Sequence, residues 1–382
     1  MIKIKNIKNV LVYKDPAHAS NQVNVIKSQS GDIIIAFNEE RGPDYKGDGQ
    51  SCIIRSKDGG KTWDPSTKLT ITPYTDLKGN WPPGPTISQL SNGELILTMR
   101  QAIFHKEAIR GFRADQNYGG DWEGKPLDPH FKILMEQIGI FILKSEDDGY
   151  TWSKPITIKT SPLGGGECAD SLIELSNGSL LMPITDSGAM ARWAIYGVAP
   201  RRVALFKSDT GGSNWEYWAT MAYDGGGIIE WRSPSITRMT DGKLISLLQT
   251  RHRPARQGNL WFTYSNNDGR TWSPPEWTNL WGYPADTIQL QDGRVLAIYG
   301  YMKAPWGVRG CISEDGITWD LKNEFTIREG GAAPPTFRAN GHIGYPTCCQ
   351  LDDGTILVGY HEYSKDKRPI QHIRCARFKL DG

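Results

Sequence analysis

Glu167, in Gly164-Gly-Gly-Glu-Cys168, and Glu230, in Ile228-Ile-Glu-Trp-Arg232, each stand at the head of a β-rich run, as do Asp170, Asp286 and Tyr345. Arg41, Arg100, Arg251 and the pair His361-Glu362 stand at the tails of others, and Arg309 opens one more. Two carboxyls facing each other across a pocket can donate and accept protons. A guanidinium grips a carboxylate through two parallel hydrogen bonds, which a lysine cannot do. A phenol offers a neutral oxygen that becomes nucleophilic once a base takes its proton. Brought to one place, these groups suit an anionic or polyhydroxylated ligand. His105, His130, His252 and His361 share no ligand spacing, and the six cysteines are scattered, so neither a catalytic metal nor a cofactor is expected.

The elements that position them are repeats. Five near-copies of one phrase run along the chain: Ser56-Lys-Asp-Gly-Gly-Lys-Thr-Trp63, Ser145-Glu-Asp-Asp-Gly-Tyr-Thr-Trp152, Ser208-Asp-Thr-Gly-Gly-Ser-Asn-Trp215, Ser265-Asn-Asn-Asp-Gly-Arg-Thr-Trp272 and Ser313-Glu-Asp-Gly-Ile-Thr-Trp319. Hydroxyls, a carboxylate or amide, a glycine and a tryptophan make a self-capped hairpin turn. A second turn, polar residues then glycine between apolar runs, recurs at Gly31, Gly93, Gly178, Gly242, Gly293 and Gly354. The two turns alternate, giving four strands per unit, and six units closed in a ring make an all-β, six-bladed β-propeller. The run Val10-Leu-Val-Tyr13 is expected to complete the last blade beside Ile373–Phe378.

Connectivity sorts the residues. Both repeated turns fall on one face, so a ligand pocket belongs to the other, where strands 1 and 3 begin and strand 2 ends. That face carries Glu39, Glu40 and Arg41; Arg100; Glu167 and Asp170; Glu230, Arg232, Arg251 and Arg253; Asp286 and Arg309; and Tyr345, His361 and Glu362. It also carries the longest insertion, 101–134, whose Phe104, Phe112, Tyr118, Trp122 and Phe131 suit a lid over a sugar ring or an oligomer contact, as does the loop 189–197.

Composition is consistent with one domain spanning 1–382. With 44 basic against 42 acidic residues the chain has no charge excess for a nucleic acid, and no apolar run is long enough for a membrane span. The N-terminal Met-Ile-Lys-Ile-Lys-Asn-Ile-Lys has no apolar signal core, so a cytoplasmic location is expected.

The repeated phrase is the Asp-box (BNR) repeat, and along essentially its whole length the chain resembles the sialidase (neuraminidase) superfamily. The stretch Gly344-Tyr-Pro-Thr-Cys-Cys-Gln-Leu-Asp-Asp-Gly-Thr-Ile-Leu-Val-Gly-Tyr-His-Glu362 is similar to the segment bearing that family's nucleophilic tyrosine. The resemblance implies Tyr345 as nucleophile, Arg309 and Arg251 as carboxylate-binding arginines, and Asp44 or Asp48 as the acid/base. Two positions depart. No arginine stands near Ser20–Asn24, and Ser233 occupies the place of the glutamate that would activate the tyrosine, with Glu230 three residues upstream as a substitute beside Arg232.

The expected activity is therefore exo-acting glycoside hydrolysis of a terminal, acidic sugar on a glycan. Glu167 and Glu230 open a second mechanism on a neutral sugar, as in exo-arabinanases, if their carboxyls lie roughly 5–5.5 Å apart (retaining) or 6.5–9.5 Å apart (inverting). A polysaccharide lyase and a carbohydrate-binding propeller without turnover are the remaining classes.

Overall fold

The apolar runs flanking the six turn glycines pair into six antiparallel sheets, each four strands deep. The structure is a computed structural model and describes residues 3–40, 49–72, 80–81, 84–105, 134–163, 166–168, 170–186, 202–226, 228–252, 258–303, 305–330, 343–365 and 370–381. Among them there is no α-helix, only two short 3₁₀ turns. Blade 1 comprises Ser20–Lys27, Ile33–Glu40, Gly49–Ser56 and Leu69–Thr72 from the axis outward. Blade 4 (Ile229–Arg238, Leu244–His252, Asn259–Ser265, Glu276–Trp281) and blade 5 (Ala285–Gln289, Val295–Tyr301, Gly307–Ser313, Glu324–Glu329) repeat it. In blades 2 and 3 the innermost strand is split, into Asn80–Trp81 with Thr86–Gln89 and Gly166–Cys168 with Ile173–Glu174. Blade 6 has Gly344–Gln350, Ile356–Tyr363 and Gln371–Asp381, and its outermost strand is Lys3–Tyr13 from the other end of the chain.

Each blade is covered on both faces by its neighbours, which explains the unbroken apolar runs. In blade 1, Ile33, Ile35 and Phe37 enter the seam with Leu357, Ile373 and Cys375 of blade 6. The alternate residues Ile34 and Ala36 enter the opposite seam with Leu95, Leu97 and Leu143 of blade 2. All five are fully buried, and each isoleucine contributes about 1.5–3 kcal/mol by leaving water. The turn glycines close by their own amides, Gly31 N–H donating to Ser28 O and Gly293 N–H to Leu290 O, with φ of +92° at both.

The five Asp-box turns are self-contained. Asp58 accepts from Ser56 Oγ (2.7 Å), Thr62 Oγ1 (2.7 Å) and the amides of Lys61 (2.9 Å) and Thr62 (3.0 Å). Against the desolvation that opposes it, these donors hold the Asp58 carboxyl down to about 2. Each box also plugs its neighbour. A Cβ at Gly316 of blade 5 would meet Ile245 Cδ1 of blade 4 at 2.4 Å, and one at Gly269 of blade 4 would meet Leu205 Cδ1 of blade 3 at 2.7 Å.

Around the axis, six hydrogen bonds hand each innermost strand to the next. Backbone N–H groups donate across the seams from Val25 to Thr347 Oγ1 (2.9 Å), Ile87 to Asn24 Oδ1 (2.9 Å) and Leu172 to Ser88 Oγ (2.8 Å). The circuit continues from Ile236 to Asp170 Oδ2 (2.7 Å), Thr287 to Ser235 Oγ (2.9 Å) and Cys348 to Asp286 Oδ2 (2.7 Å). Inner strands have no sheet partner on their axial side, so side chains of adjacent blades satisfy amides that would otherwise be orphaned.

Candidate active site

Three of the innermost strands carry the same irregularity. In blade 1, three steps from Asn21 to Asn24 face two from Asn38 to Ala36. In blade 4, Arg232 to Ser235 face Gln249 to Leu247, and in blade 6, Gly344 to Thr347 face His361 to Gly359. Each is a one-residue β-bulge, and each has a left-handed residue at the same position: Gln22 (φ +52°), Ser233 (φ +41°) and Tyr345 (φ +51°). None is glycine, so each conformation costs about 1–2 kcal/mol, and strain of this kind collects at functional sites. The ring-forming side chain follows two residues later in all three, at Asn24, Ser235 and Thr347.

Tyr345 is 41% exposed, an unusual state for a large aromatic group on an inner strand. Its ring stacks on His361 with centroids 5.8 Å apart and planes at 27°. His361 is 2% exposed. Its Nδ1 accepts from the Gln22 amide (3.4 Å), which leaves the proton of a neutral ring on Nε2. His361, expected to bind substrate, is packed against the phenol and joins the bulges of blades 1 and 6.

On the far side, the Ser233 amide donates to Thr185 Oγ1 of blade 3 (3.0 Å), and Thr185 is the register partner of Glu167. Glu230 is 5% exposed, three residues before Ser233 on the same strand and opposite Arg251 in register. The inner-strand mouths of blades 3 and 4, with Glu167 and Glu230, are thus neighbours. Arg232 is part-buried at the edge of its bulge, and the backbone of Arg100 pairs with Ile140 in blade 2. Arg41, Asp44, Asp48, Arg253, the loop 189–197 and 106–133 of the insertion lie outside the described residues. The insertion's arms are strands, since Ala102 pairs with Gln137 and His105 with Leu134, so strand pairing runs further into 101–134 than the sequence implies.

Three expected pocket residues are engaged elsewhere. The Arg309 guanidinium pairs with Glu324 of the outermost strand of blade 5 at 2.6 Å and lies 3.6 Å over the Tyr301 ring. Glu39 accepts from Lys68 (2.7 Å) and from Tyr13 (2.8 Å). Burial and the neighbouring Glu39 push the Tyr13 phenol up to about 12. Glu362 is held by Arg328 (2.9 Å), Arg374 (3.3 Å) and His372 (3.5 Å). Although burial opposes it, these donors lower the Glu362 carboxyl. In each case a partner lies farther from the axis: Lys68 and Glu324 beside or on the outermost strand of the same blade, and Arg328 on the outermost strand of the neighbouring blade.

Two carboxyls line the axis itself. Burial and the charge of Asp286 raise Asp170 well above the usual carboxylate range. Burial raises Asp286 to about 6, against the N–H donors of Cys348 and Thr287. The Ser235 hydroxyl donates to Asp286 Oδ1 (3.2 Å). Among the described residues, no group of three or more His, Cys, Asp or Glu side chains is arranged to hold a metal ion.

A blade closed by both ends of the chain, Asp-box turns on one face and bulged inner strands at the opposite mouth define a six-bladed β-propeller with BNR-type turns. The family model described as a BNR repeat-like domain matches residues 130–358, more than half of the chain, and the chain belongs to that family. No curated protein sequence matches it. Among solved structures, a protein of unknown function from Dyadobacter fermentans is 24% identical, with a TM-score of 0.76 over 99% of this chain and 100% of that one. A Hadza microbial sialidase is 18% identical (TM-score 0.64) over 95% of this chain, which spans only 65% of that protein. An α-L-arabinanase of Penicillium chrysogenum, solved with arabinobiose, is 13% identical (TM-score 0.63) over 98% of both chains. At these identities the likeness is one of fold: a propeller of the kind glycoside hydrolases use.

Proposed function

We propose that the chain is an exo-acting glycoside hydrolase that removes a terminal sugar from a glycan, with Tyr345 as nucleophile. The observation that carries this reading is the exposed phenol, held in a strained bulge and backed by His361. The phenol oxygen attacks the anomeric carbon as the glycosidic C–O bond breaks. Its proton passes to Glu230, and Asp44 or Asp48 protonates the departing oxygen. Water, deprotonated by the same aspartate, then releases the sugar and restores the tyrosine. A neutral phenol meets no charge repulsion from an anomeric carbon bearing a carboxylate, which favours an acidic sugar held by Arg41, Arg100, Arg232 and Arg251.

A second reading has its own observation. Glu167 and Ser233 flank the same threonine, which sets the heads of the Glu167 and Glu230 strands side by side. That arrangement suits a two-carboxylate hydrolase acting on a neutral sugar. A panel of aryl glycosides of sialic acid, uronic acids, rhamnose and arabinofuranose separates the two. Turnover of an acidic sugar that falls at least roughly a thousandfold in Tyr345→Phe supports the first. Turnover of a neutral sugar that survives Tyr345→Phe and is lost in Glu230→Gln supports the second and refutes the first.

A further inference from the structure

Gln22 occupies in blade 1 the place that Tyr345 occupies in blade 6, one residue past the last paired position and two before the ring-forming side chain. Ser233 occupies it in blade 4. The three backbones are turned to the same left-handed conformation, so the three side chains leave their strands in the same sense at the same mouth. Gln22 is also clamped. The Gly84 amide donates to its Oε1, and a Cβ at Gly84 would lie 2.5 Å from Gln22 Cβ. An N–H needs an acceptor, so the atom facing Gly84 is the carbonyl oxygen, and the other half of the carboxamide is the NH₂ group with two donors. The Gln22 amide meanwhile holds His361, the ring behind Tyr345. One residue therefore adjoins the phenol's support and carries a fixed, uncharged donor.

We propose that Gln22 is a substrate-reading residue: its NH₂ group donates to an acceptor oxygen of the terminal sugar as that sugar lies against Tyr345. Ser233 supplies a hydroxyl to the same sugar from the opposite bulge. The pocket floor is then made of uncharged groups (carboxamide, hydroxyl and phenol) and selects a hydroxyl- or carbonyl-rich ring by direction of hydrogen bonding, with any charge read elsewhere. This rests on the glycosidase reading and deepens it.

Gln22→Glu tests it, because the carboxylate still accepts from Gly84 N–H while the outward atom changes from donor to acceptor. Gln22→Met removes the donor with little change in length. On the glycoside turned over by the wild-type chain, both variants are expected to raise KM and lower kcat/KM by at least about tenfold with kcat less affected. Melting temperatures should stay within about 2 °C of wild type, since the side chain is only part-buried. A kcat/KM within twofold of wild type in both variants overturns the proposal while leaving the glycosidase reading intact. If the wild-type chain turns over no glycoside, that reading has failed by itself. Titration of p-nitrophenyl glycosides by tryptophan fluorescence then decides: saturable binding lost in Gln22→Glu supports the Gln22 assignment, and binding that persists in the variant, or none to wild type, overturns it.

Discussion

Asp286→Asn tests the physics of the channel. In the folded chain the Asp286 carboxyl is raised from 3.8 to about 6, with burial the largest cause. A raised carboxyl holds its proton more tightly folded than unfolded, so wild-type stability falls as pH climbs from about 4 to 6. A shift of about 2 units corresponds to about 3 kcal/mol. The Asp-box carboxylates respond in the opposite sense and in another window. Asp58 and Asp147 are lowered to about 2, so their contribution is lost only as pH falls below about 4. Asp286 now accepts from Cys348 N–H, Thr287 N–H and Ser235 Oγ. In asparagine one of the two acceptor oxygens becomes a donor facing a donor, which costs about 1–3 kcal/mol at any pH. The variant should thus be less stable than wild type at pH 4.5 and close to it, or above it, at pH 7.5. About 1 kcal/mol of the carboxyl's contribution is already lost at pH 4.5, so differential scanning calorimetry at the two pH values reads the remaining ~2 kcal/mol as a change of about 4 °C in the melting-temperature difference, at about 2 °C per kcal/mol. A difference that is the same at both pH values would refute the reasoning, because the carboxyl would then titrate alike folded and unfolded.

Other perturbations address the frame and the strain. Gly316→Ala combines a φ of +71° with a Cβ 2.4 Å from Ile245 Cδ1; a loss of about 2–4 kcal/mol is expected in denaturant titration. Ser233→Gly relieves a left-handed serine worth about 1–2 kcal/mol, less about 0.5–1 kcal/mol for the freer unfolded chain, so a small gain in melting temperature should accompany any loss of activity. Glu362→Gln leaves Arg328 and Arg374 without their shared counter-charge; a loss of about 2–4 kcal/mol is expected above pH 5, shrinking as pH falls through the lowered Glu362 value, and an equal loss at pH 3 would contradict the assignment.

Two alternating turn chemistries made the blade count legible, because a glycine with positive φ and a self-capping Ser/Asp/Thr set leave marks in the sequence itself. The mouth was legible as a list of strand ends, and Tyr345, Glu230 and Glu167 do stand at inner-strand heads. The bulges were not legible. Arg232-Ser-Pro-Ser235 and Gly344-Tyr-Pro-Thr347 share a spacing that hints at them, but Asn21-Gln-Val-Asn24 lacks the proline, and one extra residue shows only when both partners of a ladder are known. The partners of Glu39, Arg309 and Glu362 were illegible for another reason. The strand ends of these three were placed correctly, yet the residues that engage them show no local signal: Lys68 and Glu324 meet Glu39 and Arg309 across the ladder of the same blade, and Arg328 of blade 5 meets Glu362 of blade 6 by blade packing.

The axial circuit has a polarity: every blade receives its acceptor from the blade before it and offers one to the blade after. Such a head-to-tail pattern can be satisfied by any number of members, because each joint is local and identical in kind. It therefore sets the height at which neighbouring blades engage, and with it the common level of the three bulges, but leaves the circumference to the wedge-shaped apolar seams. Adding or removing a whole blade would preserve every joint of the circuit, whereas sliding one blade by a single residue would break two of them and take a pocket residue out of line.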